Sequence, residues 1–184
     1  MKSIQPHQRN IDWLEMYHDA PSITCLLRDA AAGVGVSDLM EVRLFIERSC
    51  EHVQERYRKR YIDIYTGMVV DSVLELKKGS PLRADHDEEN TLWVLRRLNE
   101  TRTPLLAGLT VLHRTLIRKE PLHPEGTPFP GGDSVKEVNG VYYCPVKDRQ
   151  KDNPRALCDI CIARQTPKLK GYHDHQNSAR IPKN

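Results

Sequence analysis

The sequence predicts a mainly α-helical protein: a helical bundle that carries a small C-terminal module made of a loop, a β-hairpin and a helix. Three observations lead to this prediction. Apolar residues recur at steps of three and four over long segments, proline and glycine become frequent after residue 120, and an Asn-Gly pair lies between β-forming residues. We therefore expect a helical bundle over residues 1–120, a cysteine-containing module packed on it over 121–165, and a disordered basic tail over 166–184.

The longest periodic segment runs from residue 37 to residue 79. Ser37 is a suitable N-cap for a helix. Gly79 is a suitable residue after its C-terminus, and the two lysines before Gly79 carry positive charges that are favourable near the negative end of the helix dipole. Gly67 is expected either to kink this helix or to split it in two. Its apolar stripe begins with Leu39, Val42, Ile46, Cys50, Val53 and Tyr57.

Shorter helices are predicted on both sides of this segment. Pro21-Ser22 is a helix start and the Gly33/Gly35 pair a helix stop. Another helix begins at Pro104, because proline is tolerated at the first turn, where its missing N–H has no partner to lose. The apolar residues of that helix repeat at helical spacing: Leu105, Leu109, Leu112 and Leu116.

The composition changes after residue 120. Five of the twelve prolines lie between Pro121 and Pro145, which predicts a rigid, irregular loop, since each proline fixes φ and removes a donor. Asn139-Gly140 predicts a two-residue hairpin turn. A last helix is expected over residues 154–165, with Pro154 in its first turn.

Composition and charge exclude several classes of protein. Hydrophobic residues make up 39% of the chain and charged residues 29%, as in ordinary globular proteins. No apolar run is long enough for a signal peptide or a membrane span, so we expect a cytoplasmic protein whose thiols stay reduced. The tail over 166–184 has four Lys or Arg residues and one Asp, so it accounts for the whole net charge of +3 and leaves a neutral body.

Three of the five cysteines form the pattern C-x13-C-x2-C, at Cys144, Cys158 and Cys161. Cys144 ends the predicted hairpin, and the other two are expected on one face of the last helix. Three thiolates leave a tetrahedral zinc site one ligand short. His123, in the proline-rich loop, completes a Cys3His set with the spacing H-x20-C-x13-C-x2-C.

The sequence leaves the fourth ligand and the metal open. His173 and His175 compete with His123, although ordering a tail costs more conformational entropy than using a rigid loop. A structural zinc ion is the favoured cofactor, because a module with few large apolar residues needs additional stabilisation. An iron–sulfur cluster, a redox dithiol and the absence of any cofactor are the alternatives.

No catalytic signature accompanies the cysteines. The glycine-rich stretch from His123 to Gly132 lacks the Lys-Ser/Thr of a phosphate-binding loop and is expected to be a connecting loop. The cations and tyrosines of segment 56–61 are explained by pairing with preceding glutamates, so nucleic-acid binding is the least favoured function.

The run from His123 to Gln165, with its HPEGTPFPGG, YYCPV and ALC-x2-C motifs, resembles a family of uncharacterised proteins of methanogenic archaea. The resemblance covers about residues 121–165 and implies an archaeal, anaerobic, cytoplasmic setting, which favours an iron–sulfur cluster more than the residues alone do. It implies no activity. We therefore predict a non-enzymatic binding or assembly protein with a structural zinc ion. The alternative is an iron–sulfur or thiol-based redox protein. The sequence leaves room for a protein partner but identifies none.

Overall fold

A computed structural model describes residues 11–51, 53–78, 87–129 and 132–167 of the chain. The described part is mainly helical, with a small three-stranded sheet toward the C-terminus, which confirms the predicted fold class. Its helices are α1 (Trp13–His18), α2 (Ile23–Ala32), α3 (Val36–Ser49), α4 (Glu55–Lys78), α5 (Glu88–Glu100) and α6 (Leu105–Leu112).

Side-chain caps fix the starts of the first two helices. Asp12 accepts hydrogen bonds from the N–H groups of Leu14 and Glu15, both at 3.1 Å. Ser22 caps α2 by accepting from the N–H of Cys25 at 3.2 Å, and the helix ends at Gly33, as predicted. Each cap satisfies amide groups that the first helical turn leaves without an intrahelical partner.

The predicted long helix over 37–79 is two helices, and the break does not occur at Gly67. The interruption lies between Ser49 and Glu55, whereas α4 continues without a break through Gly67. The guanidinium of Arg58 donates to the backbone oxygens of Glu51 and Val53, at 2.8 and 2.9 Å, and so satisfies carbonyls that a continuous helix would use. At the other end, the N-cap of α3 is Gly35 and not Ser37.

Of the last two helices, α6 begins as expected, but a π-helical turn replaces its predicted last turn. Asp87 caps α5 through its side chain, and Pro104 occupies the N-cap of α6. After Leu112 the chain widens into a π-helical turn over His113–Arg118, which ends at Lys119 in the left-handed conformation, with φ 53°. Almost every residue of α6 is buried, so this helix forms the centre of the bundle.

The main hydrophobic core lies among the helices. Its fully buried side chains include those of Trp13, Leu27, Val73, Leu95 and Leu109. Residues from the C-terminal segment join this core: Ile160 is buried in it, and Leu122 and Leu157 pack against it. A smaller apolar cluster is formed by Phe129, Val135, Cys144 and Ala163.

The predicted hairpin is present. Strands β1 (Lys136–Val138) and β2 (Val141–Cys144) pair antiparallel, and Val138 lies opposite Val141. The turn residues Asn139 and Gly140 both have positive φ, 51° and 77°, as a two-residue turn of this type requires. A third strand, β3 (Arg164–Gln165), pairs parallel with β2.

The predicted last helix over 154–165 is wrong. These residues form turns that lead into β3, so Cys158 and Cys161 do not share a helix face. Side chains from elsewhere take the carbonyls that a helix would need. Arg97 donates to the carbonyl oxygens of Pro154 and Ala156, at 3.0 and 2.8 Å.

The proposed division into a bundle (1–120) and a module (121–165) stays a prediction, and most of the predicted tail, residues 168–184, lies outside the described residues. None of the helices in the described part of the chain is long and apolar enough to cross a membrane. The predicted cytoplasmic location stays a prediction.

Candidate functional site

Cys144 ends β2 and is buried in the smaller apolar cluster. Burial raises the pKa of its thiol. Hydrogen bonds from the backbone N–H groups of Val146 and Lys147, together with the nearby Lys147 ammonium group, act in the opposite direction on that pKa. The two residues after Pro145 therefore give Cys144 hydrogen-bond donors of the kind that stabilise a thiolate.

Cys161 lies close to the start of the proline-rich loop. Its sulfur accepts a hydrogen bond from the backbone N–H of Leu122 at 3.4 Å, and its carbonyl oxygen accepts one from Lys147 Nζ at 2.7 Å. Lys147 also donates to the carbonyl oxygen of Ala163, at 2.7 Å. The same lysine thus holds the Cys161 segment and lies beside Cys144.

Cys158 is half-buried and lies near both other thiols. Burial raises its pKa, and the neighbouring Cys161 and Cys144 thiols raise it further. Cys158 and Cys161 line one cavity, and Cys161 packs against the smaller apolar cluster that contains Cys144. Hairpin and turns, and not a helix, produce this arrangement.

His123 directly follows Leu122, the residue whose N–H reaches Cys161. Its ring makes edge-to-face contacts with Tyr65 and Phe129, with centroids 5.7 and 5.3 Å apart. Burial lowers the pKa of His123 to about 4, so the imidazole is neutral near pH 7. A neutral imidazole is the form that binds metals.

The structure brings together only part of the predicted ligand set, which consists of His123, Cys144, Cys158 and Cys161. His123, Cys158 and Cys161 line one cavity, whereas Cys144 is buried next to them in the smaller apolar cluster. Over residues 11–51, 53–78, 87–129 and 132–167, no group of three or more His, Cys, Asp or Glu side chains is arranged so that it could hold a metal ion. The ligand set therefore stays a prediction, and the rivals His173 and His175 lie outside the described residues.

The shared cavity has a volume of about 390 Å³. Its walls come from α3, α4 and α6 and from the segments that carry His123 and Cys158. Most of its lining is apolar, and Arg155 contributes a cation. Sequence patterns could not reveal this cavity, because its walls come from distant parts of the chain.

Two further residues that the sequence did not single out position the cysteine segment. Arg97, on α5, donates to the carbonyl oxygens of Pro154 and Ala156 and also forms an ion pair with Asp159 at 2.8 Å. Lys147 fixes the carbonyls of Cys161 and Ala163. Neither belongs to a recognisable motif, and only the folded chain brings them to these positions.

Fold and site define a mainly helical protein with a small, cysteine-bearing β-sheet near its C-terminus. The profile of a family described as uncharacterised proteins conserved in archaea (DUF2115) matches residues 21–166, and the chain belongs to this family. The predicted relationship to uncharacterised archaeal proteins is thereby confirmed. The matched range includes the helices from α2 onward as well as the sheet.

Relatives support the same assignment. The chain is 59% identical over 143 residues to a UPF0305 protein of Methanothermobacter thermautotrophicus, covering 77% of this chain and 92% of that protein. It is 29% identical over 151 residues to a second UPF0305 protein of the same organism, covering 76% and 92%. A UPF0305 protein of Methanocaldococcus jannaschii is 29% identical over 147 residues, covering 73% and 89%. No solved structure matches the chain.

Proposed function

We propose that the protein binds one structural zinc ion through Cys144, Cys158, Cys161 and His123, and that it is a non-enzymatic binding or assembly protein. The observation that supports this most is the environment of the sulfur atoms. Backbone N–H groups donate to Cys161 and to Cys144, which is the support that metal-bound thiolates need from the residues around them.

The chemistry of the donor set favours zinc. Three thiolates and a neutral imidazole make a Cys3His set, which is typical of closed, tetrahedral structural sites. A set rich in thiolates also reduces the ability of zinc to activate water. A structural role is therefore better supported than a hydrolytic one.

A zinc ion has a clear structural purpose at this position. The segment over 154–163 has no helix, and side chains of Arg97 and Lys147 hold several of its carbonyls. An ion bound to Cys158 and Cys161 on one side and to Cys144 on the other joins this segment to the hairpin. His123 joins the proline-rich loop to both.

Metal analysis of anaerobically purified protein tests the proposal. We expect about one zinc ion per chain in the wild type and in the Cys25→Ser variant, and loss of zinc in Cys161→Ser and Cys144→Ser. Cys25 is a matched control because it lies in α2, outside the cysteine cluster. Unchanged zinc in both cluster variants contradicts the site.

The same samples test the alternative cofactor. Colourless protein with zinc supports the proposal, whereas brown protein that contains iron and inorganic sulfide supports a cysteine-held cluster in its place. Circular dichroism of each variant shows whether the helices remain folded. Loss of metal with retained helix content separates a missing ligand from general unfolding.

A further inference from the structure

The cavity beside the cysteine cluster is a site of its own and does not depend on a metal ion for its chemistry. Three helices contribute to its walls, through Val42 and Phe45 of α3, Met68 of α4, and Leu106 and Val111 of α6. Its volume, about 390 Å³, lies in the range of small-molecule sites, roughly 300–1,000 Å³. The protein therefore has a preformed cavity of a size that admits a small organic ligand.

The polar groups on the helical wall already have partners. The Thr110 hydroxyl donates to the carbonyl oxygen of Leu106 at 2.8 Å. The Tyr65 hydroxyl hydrogen-bonds Tyr61, whose ring stacks on that of Tyr65 with centroids 4.3 Å apart. This wall consequently presents an almost entirely apolar surface, which favours an apolar ligand body.

Among the described residues, a single permanent charge lines the cavity. The charge belongs to Arg155, an exposed residue, and the described lining residues include no Asp or Glu. In the described part of the chain, the Arg155 guanidinium has no carboxylate partner. An arginine is suited to a carboxylate, because its donors match the two oxygens.

We propose that this cavity binds a small aliphatic carboxylate, with its hydrocarbon chain between α3, α4 and α6 and its carboxylate at Arg155. The hydrocarbon part removes the apolar lining from water, and the carboxylate stays near solvent, where its desolvation costs least. Arg155 carries the permanent charge among the described residues that line the cavity, so the ligand carboxylate is placed there.

Titration of the full-length protein with decanoate and with decan-1-ol tests this site. Calorimetry is expected to show one binding site for decanoate, with a negative heat-capacity change from apolar burial. Decan-1-ol should bind more weakly, since it lacks the charge that pairs with Arg155. No measurable decanoate binding, or equal affinity for both compounds, overturns the proposal.

Two pairs of variants locate the ligand. Arg155→Gln should weaken decanoate binding about five-fold and leave decan-1-ol unchanged, as expected for one partly exposed ion pair. Arg149→Gln, at an exposed arginine of the same module that does not line the cavity, is the control. An equal effect of both arginine variants contradicts the placement of the carboxylate.

Ala107→Trp should abolish binding of both compounds, because Ala107 lines the cavity and the larger side chain fills it. Ala32→Trp, at an exposed alanine of α2 outside the cavity, is its control. Binding to Ala107→Trp with wild-type affinity overturns the site. Arg155 is exposed, so its variant keeps the test decisive even if Ala107→Trp does not fold.

Metal content is measured on the same samples. Wild-type protein that is purified without zinc and binds decanoate supports the cavity and contradicts the zinc centre. Wild-type protein that contains zinc and binds no decanoate supports the zinc centre and contradicts the cavity. The two proposals therefore succeed or fail separately.

Discussion

Gly108 of α6 lies directly against the indole ring of Trp13. A Cβ atom on Gly108 would lie 2.6 Å from Cε2 and 2.7 Å from Cη2 of that ring, much closer than van der Waals contact. Trp13 has no room to move away, because it is fully buried and its Nε1 donates to the carbonyl oxygen of Thr103 at 3.1 Å. This contact fixes the distance between the first helix and the centre of the bundle.

Gly108→Ala is therefore expected to lower the free energy of unfolding by about 1–3 kcal/mol, the usual cost of overpacking a core. The better helix propensity of alanine opposes this loss but is smaller. Urea unfolding followed by circular dichroism measures the change, and the near-ultraviolet spectrum reports on the packing of the aromatic side chains, Trp13 among them. Wild-type stability in this variant would show that α1 can shift without cost.

Gly67→Ala is expected to have the opposite sign. Gly67 lies inside α4, and apart from its two neighbours and the backbone of its own helix, no atom of the described residues lies within 4 Å of a Cβ atom built there. Replacing a helical glycine with alanine reduces the entropy of the unfolded chain and should stabilise the protein by about 0.5–1 kcal/mol. The same urea experiment checks it, and destabilisation would indicate that α4 needs the glycine for a bend.

The turns show how local chemistry makes part of this fold predictable. Asn139-Gly140 predicts the hairpin correctly, because both positions need positive φ and these two residues adopt it at low cost. Pro104 predicts the start of α6 for a similarly local reason. In both cases the residues that determine the structure are the residues that adopt it.

The segment over 154–165 shows why the rest is not predictable. Its sequence favours a helix, but Arg97 and Lys147 take its carbonyls, and β2 pairs with its end. Arg97 lies more than fifty residues away in the sequence, and nothing near Cys158 indicates it. The pattern of cysteines could therefore suggest the ligands of a site but neither their arrangement nor the cavity beside them.

Replacing Arg97 tests its role in holding that segment. Arg97→Lys keeps the positive charge but loses the fork of donors that reaches Pro154 and Ala156 while pairing with Asp159. We expect a loss of about 1–3 kcal/mol in unfolding free energy and faster amide exchange over 154–161. Arg96→Lys, at an exposed residue of the same helix, is the control and should change neither. Equal exchange rates in the two variants would remove Arg97 from this role.

His113 is expected to make stability depend on pH. The residue is buried, and in the described part of the chain neither ring nitrogen has a hydrogen-bond partner, although Nε2 lies 3.3 Å from Glu75. Burial lowers the pKa of His113 below its usual value of 6.5, and the effect of Glu75, which raises this pKa, is smaller. Arg114, Arg118 and Glu120 also face this group.

The sign follows from the lowered pKa. Below pH 6.5 the unfolded chain takes up a proton more readily than the folded protein, so the free energy of unfolding falls as pH decreases toward the folded pKa of His113. The fall is at most about 1.4 kcal/mol per pH unit for one group. His113→Gln should lose less stability than the wild type between about pH 7.5 and about pH 5 in urea titrations. Identical pH profiles would show that His113 is protonated equally in both states.

Lys147 provides a test of the proposed metal centre that leaves every ligand in place. It donates to the carbonyl oxygens of Cys161 and Ala163 and lies beside the Cys144 sulfur, so it supports two of the proposed ligands without being one. Lys147→Met should weaken zinc binding about 10-fold in competition with a chromogenic chelator, the lower end of the effect of such supporting residues. The matched control is Lys151→Met, since the exposed ion pair of Lys151 with Asp148, at 3.0 Å, involves no proposed ligand. If Lys147→Met retains zinc as firmly as this control does, Lys147 has no part in positioning the sulfur atoms.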